Sequence, residues 1–178
     1  MKDFAHPDRD EKTYVNLNRA IESTALVACN GRKYVADLTT DPAVDLPPVS
    51  CLLGQFNQIV LNMIVNSAHA IGDVVQGTPR KGLISITPRH VDECVEVRIT
   101  DTGTGIPEAI RHTIFDPCFT TKEVGKRTGQ GLPIARSVIV DKHGGSMAVE
   151  SQVGKGTTSI IRLRVKGSGE KRDTEILV

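Results

Sequence analysis

A long uncharged segment near the middle of the chain constrains the fold more than any other feature. No Asp, Glu, Lys or Arg occurs between Leu46 and Gly72, and residues 52–71 would form an α-helix about 30 Å long. Apolar side chains recur every three or four residues along one side of this helix, at Leu52, Phe56, Ile59 and Met63, and Ala70 follows two turns later. A polar stripe on another side carries amides and an imidazole instead of the usual Lys and Glu, at Gln55, Gln58, Asn62, Asn66 and His69. Because an unpaired buried amide costs about 1–3 kcal/mol, the polar stripe is expected to face protein groups, ordered water or a ligand.

Taken alone, this segment leaves other interpretations open. A membrane span would also be uncharged and of this length, but the polar stripe argues against it. A core helix whose amides are satisfied within the protein fits the same pattern. The motifs downstream decide between that helix and one that faces a ligand.

Composition excludes several classes of partner. The chain has 178 residues, the size of one domain with its own core, and a net charge of +1. With 3% aromatic residues and no Trp, it is predicted to bind no nucleic acid and to make no direct membrane contact. The four cysteines lack metal-binding spacing and are predicted to be thiols in a cytoplasmic location, whether the parent protein is soluble or membrane-anchored: Cys29, Cys51, Cys94 and Cys118.

Hydrophobic periodicity and turn residues predict a mixed order of helices and strands around the uncharged helix. The predicted strands cover residues 14–17, 33–38, 83–87, 94–100, 146–151 and 157–165, with the third and fourth forming an antiparallel pair. The other predicted helices cover 18–29, 108–114 and 129–142, and Gly144 is expected to cap the last of them. Loops are predicted at 41–48 and 72–81.

Two side chains in this order of elements suit a nucleotide. Asp101 ends a predicted strand and precedes two glycines, which leave room for a flat ligand. A carboxylate accepts hydrogen bonds only, so it suits the exocyclic amino group of adenine and rejects the carbonyl of guanine. The side-chain carbonyl of Asn66 is a hard oxygen ligand, suited to a Mg²⁺ ion that keeps most of its water and bridges phosphates.

A third segment suits phosphate groups. Gly129 and Gly131 precede a predicted helix, and backbone N–H groups at a helix N-terminus favour an anion. The aperiodic segment before them carries Lys122, Lys126 and Arg127, which could close over phosphates. Taken singly, these patterns are also those of an ordinary tight turn or helix start.

Five segments, in this order and spacing, resemble the motifs of the two-component sensor histidine kinases. Residues 62–66 (NMIVN) resemble the N box, and 101–106 (DTGTGI), 128–132 (TGQGL) and 154–158 (GKGTT) resemble the glycine boxes. Residues 114–122 (IFDPCFTTK) are similar to the F box. The likeness extends over about residues 15–165. It implies the Bergerat-type α/β sandwich of the GHKL superfamily, in which a mixed, mostly antiparallel sheet packs on three main helices beside a flexible ATP lid.

The resemblance also implies roles for individual residues. Asn66 would bind Mg²⁺ and act with Lys122 in catalysis, and Asp101 would recognise adenine. Phe115 and Phe119 would anchor the lid, and Thr157 or Thr158 would support adenine through water. His69 would either reach a phosphate or line the pocket as a neutral imidazole. The full set of implied ATP-binding residues is Asn62, Asn66, His69, Asp101, Gly103, Gly105, Ile106, Phe115, Thr121, Lys122, Lys126, Arg127, Thr128, Gly129, Gln130, Gly131, Leu132, Thr157 and Thr158.

The chain also departs from the family pattern. Arg127 stands where the second glycine box often begins with Gly, and Cys118 replaces a common Phe. No histidine has the HExxN-type setting of the phosphate acceptor. The four histidines other than His69 have no partner motif and are expected to be surface or packing residues: His6, His90, His112 and His143. The expected function is therefore to bind Mg-ATP and supply the γ-phosphoryl group to a histidine on a separate dimerisation domain.

Two alternative functions remain. The related GHKL ATPases hydrolyse ATP with a Glu one helical turn before the Mg²⁺-binding Asn, where this chain has Asn62, and an amide cannot act as a general base. A nucleotide-sensing module without a catalytic partner is the other alternative.

The ends of the chain are expected to lie outside the domain. Residues 1–12 are predicted to be a linker remnant, 13–166 the catalytic and ATP-binding domain, and 167–178 a linker. The apolar residues 176–178 resemble the opening of a response-regulator receiver domain. The expected partners are therefore the dimerisation domain of the same kinase and a receiver domain, which in a hybrid kinase would belong to the same parent chain.

Overall fold

A computed structural model describes residues 11–29, 35–116 and 131–165 of the chain. The elements in these ranges are β1 (Thr13–Val15), α1 (Leu17–Cys29), β2 (Ala36–Thr40), β3 (Val49–Cys51), α2 (Leu53–Val75), β4 (Gly82–Val91), β5 (Cys94–Asp101), α3 (Gly131–Ser137), β6 (Ser146–Gln152) and β7 (Gly156–Arg164). A 3₁₀ turn at Glu108–Ile110 follows β5, and one π-helical turn at Val138–Lys142 continues α3.

The main sheet has five strands in the order β2-β4-β5-β7-β6. Among the strands of the described ranges, β2 and β4 run parallel and the other neighbours in this sheet are antiparallel. A small second sheet pairs β1 with β3. The predicted fold class, a mixed and mostly antiparallel sheet packed on helices, is therefore confirmed. The predicted antiparallel pairing of β4 with β5 is also confirmed, with both strands longer than expected.

The uncharged segment forms α2, the longest described helix, and one side of it fills the core between the sheet and the other helices. Its buried residues are Phe56, Ile59, Val60, Met63, Ile64, Ser67, Ala68 and Ile71. On the opposite face of this core, Val95, Val97 and Ile99 of β5 are at most 1% exposed. Each such side chain contributes about 1.5–3 kcal/mol by leaving water. In the described ranges, no helix is long and apolar enough to cross a membrane.

Several predicted boundaries are wrong. α2 does not end at Ile71 but continues to Val75. The extra turn buries part of the Val75 side chain against the core, which stabilises it. Leu17, predicted as the end of a strand, opens α1 and is fully buried. Strand β3 was not predicted at all: it lies between the loop predicted at 41–48 and the helix predicted from residue 52, and it forms because Val49 and Cys51 are buried beside β1.

The elements on either side of residues 117–130 also differ from prediction. The predicted helix over 108–114 is reduced to 3₁₀-type turns, in which Ile110, Arg111 and Thr113 each donate to the carbonyl three residues earlier. Of that stretch only Ile114 is buried, so too little apolar surface is available to hold a longer helix. After α3 the chain widens into the π-helical turn, and Gly144 follows with φ +63°, as expected of a helix-ending glycine.

His143, predicted to be a surface or packing residue, connects this turn to the start of α2. Its Nε2 lies 3.0 Å from the backbone N of Leu52, and its Nδ1 lies 2.9 Å from the carbonyl of Val138. The N–H of Leu52 can only donate and the carbonyl of Val138 can only accept, so the ring is neutral with its proton on Nδ1. Burial lowers the pKa of His143 below 6.5, and the charges of Lys12 and Lys142 lower it further against the bond to Val138.

We expect this contact to make the stability of the domain depend on pH. The lowered pKa means that the neutral ring is favoured in the folded state, so its contribution is complete above pH 6.5 and is lost as the pH falls through the lowered pKa. His143→Ala should lower the free energy of unfolding by about 1–3 kcal/mol at pH 7.5, because the N–H of Leu52 loses its partner. In this variant the free energy of unfolding should also fall less steeply below pH 6.5 than in the wild type. Urea unfolding between pH 5 and 7.5 measures both effects, with the exposed His90→Ala as control. If the free energy of unfolding depends on pH in the same way in wild type and His143→Ala, the proposed contribution of His143 is wrong.

Candidate functional site

The described parts of four predicted motif segments lie in or beside the middle and second half of α2. Asp101, the last residue of β5, lies beside Ser67 in the second half of this helix. The glycine-containing loop 102–106 follows Asp101, and its Thr104 N–H donates to the carbonyl of Ala70, one turn beyond Asn66. The hairpin between β6 and β7 closes the site from the other side.

The carboxylate of Asp101 is buried and held by three hydrogen bonds. Its Oδ1 accepts from the backbone N–H groups of Gly103 (2.9 Å) and Thr157 (3.2 Å). Its Oδ2 accepts from the hydroxyl of Ser67 (2.9 Å). Two carboxylate oxygens offer about four acceptor positions. Within the described residues, one position on Oδ2 therefore remains for another donor.

The electrostatics of Asp101 are unusual for a structural carboxylate. The residue is 5% exposed, and among the described residues no Lys, Arg or His forms an ion pair with it. Burial raises the pKa of Asp101, and the three hydrogen bonds from Gly103, Ser67 and Thr157 oppose that rise. A buried carboxylate without a paired cation is costly to the fold even when it is hydrogen-bonded, and perturbed carboxylates cluster at binding sites, so Asp101 is a candidate ligand-binding residue.

Two glycines allow the loop and the hairpin to approach each other. Gly105 has φ +71°, and a Cβ there would overlap the carbonyl group of Gln152 in β6. Gly156 has φ +112°, and a Cβ there would overlap the backbone of Asp101. The N–H of Gly154 donates to the carbonyl of Thr104 at 2.8 Å, which ties the hairpin to the loop. Side chains at either glycine position would force the two segments apart.

The two candidate threonines lie on opposite faces of β7. Thr157 is the register partner of Asp101, and its N–H bonds that carboxylate. Thr158 pairs with Thr100, and the two hydroxyls lie 3.0 Å apart. Successive residues of a strand point to opposite faces, so of the two threonines Thr157 is the one beside the site.

Asn66 and Gly131 bring the N box next to the start of α3. Asn66 is exposed, and a Cβ at Gly131 would lie 3.6 Å from its Nδ2. Along the polar stripe, Gln58 donates to the Oδ1 of Asn62 at 3.0 Å, and the Nδ1 of His69 lies against the carbonyl of Val65. The polar stripe thus runs along a partly exposed side of α2. One hydrogen bond within the stripe joins Gln58 to Asn62.

The other predicted site residues fall into two groups. Phe115 and Leu132 pack against the core, and the guanidinium of Arg136 in α3 lies 5.3 Å from the Phe115 ring centroid, while the N–H of Ile106 donates to Ser151. The second group lies outside the described residues: Cys118, Phe119, Thr121, Lys122, Lys126, Arg127, Thr128, Gly129 and Gln130.

Asn66 is the candidate metal ligand of the site. Among the described residues, no group of three His, Cys, Asp or Glu side chains could hold a metal ion. Asn66 is exposed and its side-chain amide lies beside Gly131, and that amide carries one hard oxygen. This donor set fits Mg²⁺, which keeps several waters and takes few protein ligands when phosphates supply the rest.

Sequence reasoning missed Ser67, which follows Asn66 and was given no role. The available signal was its position on the apolar side of the helix, because a serine buried among apolar residues requires a hydrogen-bond partner. Its apolar neighbours are Met63, Ile64, Ala68 and Ile71. That partner, Asp101, is 34 residues away.

We expect Ser67→Ala to weaken nucleotide binding about tenfold, because Oδ2 of Asp101 loses the donor that orients it. The pKa of Asp101 should rise further, so binding should decline with acid at a higher pH than in the wild type. Calorimetric titration with Mg-ATP at several pH values measures both effects, with the exposed Ser23→Ala on α1 as control. An unchanged affinity across the pH range would contradict the role of Ser67.

Comparison with known proteins agrees with this geometry. Residues 53–167 match the family described as histidine kinase-, DNA gyrase B-, and HSP90-like ATPase. The chain is 41% identical over 130 residues to the sensor kinase CckA of Brucella abortus, and 35% identical over 152 residues to the sensor histidine kinase ZraS of Escherichia coli. These matches cover 68% and 85% of this chain but only 14% of CckA and 30% of ZraS.

A solved structure supports the same relationship. The catalytic domain of the histidine kinase ThkA in a nucleotide-free form superposes with a TM-score of 0.73 at 30% identity, covering 86% of this chain and 95% of that one. ThkA has also been solved in complex with the response regulator protein TrrA, where the TM-score is 0.67 at 25% identity over 87% of this chain and 42% of that one.

Proposed function

Because the chain belongs to the histidine kinase-, DNA gyrase B-, and HSP90-like ATPase family, we propose that it binds Mg-ATP and supplies the γ-phosphoryl group to a histidine on a separate dimerisation domain. One observation carries the proposal. Asp101 is a buried carboxylate that keeps one open acceptor position and has no cation beside it among the described residues.

Adenine is the base that fits this acceptor. Its exocyclic amino group donates a hydrogen bond to the open position on Oδ2, whereas guanine would present a carbonyl to the same oxygen. A site built around a buried hydrogen bond rejects an analogue that lacks the partner by several orders of magnitude. Ser67, Gly103 and Thr157 fix the carboxylate before the base arrives, so little reorganisation accompanies binding.

The phosphates would extend from the adenine toward Asn66 and Gly131. Asn66 would hold Mg²⁺, which when bound neutralises phosphate charge. The missing side chain at Gly131 leaves room beside Asn66 for phosphate oxygens. Lys122, Lys126 and Arg127 would add positive charge from residues outside the described ranges.

Transfer to an acceptor is preferred over hydrolysis. Asn62 occupies the position of the ATPase general base, and its Oδ1 already accepts a hydrogen bond from Gln58. An amide cannot take a proton from water at neutral pH. Phosphoryl transfer needs chiefly positioning and charge stabilisation, which Asp101 and Asn66 would supply here.

The proposed partners follow from the relatives. CckA and ZraS are sensor kinases, and each is much longer than the matched region. The dimerisation domain that bears the histidine would lie elsewhere in the same protein, and a receiver domain would take the phosphate from it, as the complex of ThkA with TrrA suggests. A hybrid kinase, with the receiver following residue 178, remains a proposal that the parent gene can test.

The experiment is a transfer assay with ATP labelled on the γ-phosphate. The chain is mixed with the dimerisation domain of its parent kinase, and with a variant of that domain whose histidine is replaced by glutamine. We expect label on the unmodified domain only, with little free phosphate released. Rapid release of free phosphate would favour the ATPase alternative, and binding without either product would favour a nucleotide sensor.

A further inference from the structure

Ser151, near the end of β6, links the two segments that enclose Asp101. Its Oγ lies 2.7 Å from the backbone N of Ile106, 3.0 Å from the carbonyl O of Gly156 and 2.9 Å from the Oγ1 of Thr157. Ile106 belongs to the loop after Asp101, and the other two residues belong to β7. Neither the motifs nor the periodicity singled out this serine.

The donors and acceptors fix the direction of these hydrogen bonds. A carbonyl oxygen can only accept, so the single hydroxyl proton of Ser151 goes to Gly156. Its two lone pairs then accept from the N–H of Ile106 and from the hydroxyl of Thr157. The bonding capacity of the hydroxyl is thus used within the protein, and Ser151 acts on a ligand only through its neighbours.

We propose that Ser151 is a positioning residue for the adenine-binding site, and this inference rests on the proposed function. Thr157 is held at two points, by its N–H on Oδ1 of Asp101 and by its hydroxyl on Ser151. Through Ile106, the same serine fixes the far end of the loop that begins beside Asp101. These bonds tie the hairpin to the loop, and Ser151 thereby sets the position of the Thr157 donor on the recognising carboxylate.

Removal of the hydroxyl would take one hydrogen-bond partner from each of three polar groups: the N–H of Ile106, the carbonyl of Gly156 and the hydroxyl of Thr157. Gly156 is buried and the other two are half-buried, so water can replace the lost bonds only in part. Residues 102–106 would keep their bonds to Ala70 and Gly154 but would lose the tie at Ile106. The lost hydrogen bonds all lie beside Asp101, and the packing of the core is unchanged.

The test compares three variants by calorimetric titration with Mg-ATP and by amide hydrogen exchange without nucleotide. Ser151→Ala should raise the dissociation constant about tenfold and should speed exchange at Ile106 and Thr157, while Val97 in the core keeps its rate. Ser151→Thr keeps the hydroxyl and should restore both values to within about twofold of the wild type. Ser146→Ala, at the exposed other end of β6, should change neither.

Failure of this inference is distinct from failure of the proposed function. A wild-type chain that does not bind Mg-ATP would overturn the proposed function, and the role of Ser151 in nucleotide binding with it. A wild type that binds, beside a Ser151→Ala variant of equal affinity, would overturn the positioning role alone. Faster exchange spread evenly over the core, or no rescue by Ser151→Thr, would also overturn it, because either would indicate a general loss of stability.

Discussion

Asp101→Asn is expected to weaken ATP binding by about a hundredfold or more while the domain stays folded. The amide oxygen can still accept from Gly103 and Thr157, and the hydroxyl of Ser67 can rotate to accept from the new NH₂ group. The NH₂ group would then face the amino group of adenine, so a donor opposes a donor. Calorimetric titration with Mg-ATP measures the loss.

The stability of this variant should be equal to that of the wild type or higher. Burial raises the pKa of Asp101 above 3.8, so ionisation destabilises the folded state as the pH rises through the raised pKa, and an amide escapes that cost. Asp73→Asn makes the same charge change at an exposed position of α2 and should leave ATP affinity unchanged. If Asp101→Asn binds ATP as the wild type does, the adenine assignment is wrong.

Asn66→Ala should remove the Mg²⁺ dependence of ATP binding and slow transfer to an acceptor domain by about a hundredfold or more, because it removes the one protein oxygen proposed to hold the ion beside the phosphates. Asn66→Asp keeps an oxygen there but adds a negative charge beside the phosphates, so it should also slow transfer. Because Asn66 is exposed and alanine is the better helix former, Asn66→Ala should not lower the free energy of unfolding.

The measurements are titrations with and without Mg²⁺ and single-turnover transfer of labelled phosphate. Gln76→Ala, which removes an exposed amide just beyond the end of α2, serves as the matched control. Wild-type transfer rates in either Asn66 variant would refute the metal-binding role, whatever their effect on stability.

Periodicity was sufficient to predict the elements that bury a continuous apolar face. α2 repeats its apolar residues over six turns, and β5 alternates Val95, Val97 and Ile99 with polar residues, so both were predicted with the correct type. The same patterns could not place Asp101 beside α2. The resemblance to the histidine kinases assigned Asp101 and Asn66 to one ATP site, and the hydrogen bond between Ser67 and Asp101 places Asp101 beside α2.

Other features could not be predicted because their causes are distant in sequence. The bond from Leu52 to His143 joins residues 91 apart, and the bond from Ile106 to Ser151 joins residues 45 apart. Both depend on how the helices and the hairpin are packed, which no local pattern contains. The three-residue strand β3 was not predicted for a related reason: Val49 and Cys51 form a strand by pairing with β1, which is distant in sequence.

A crystal structure of the chain with Mg²⁺ and a non-hydrolysable ATP analogue tests the central claim most directly. The proposal predicts the adenine amino group within about 3 Å of Oδ2 of Asp101, on the side that Ser67 leaves open, and the metal ion on the side-chain oxygen of Asn66. A base bound elsewhere, or a phosphate chain that leads away from Asn66 and Gly131, would contradict the account.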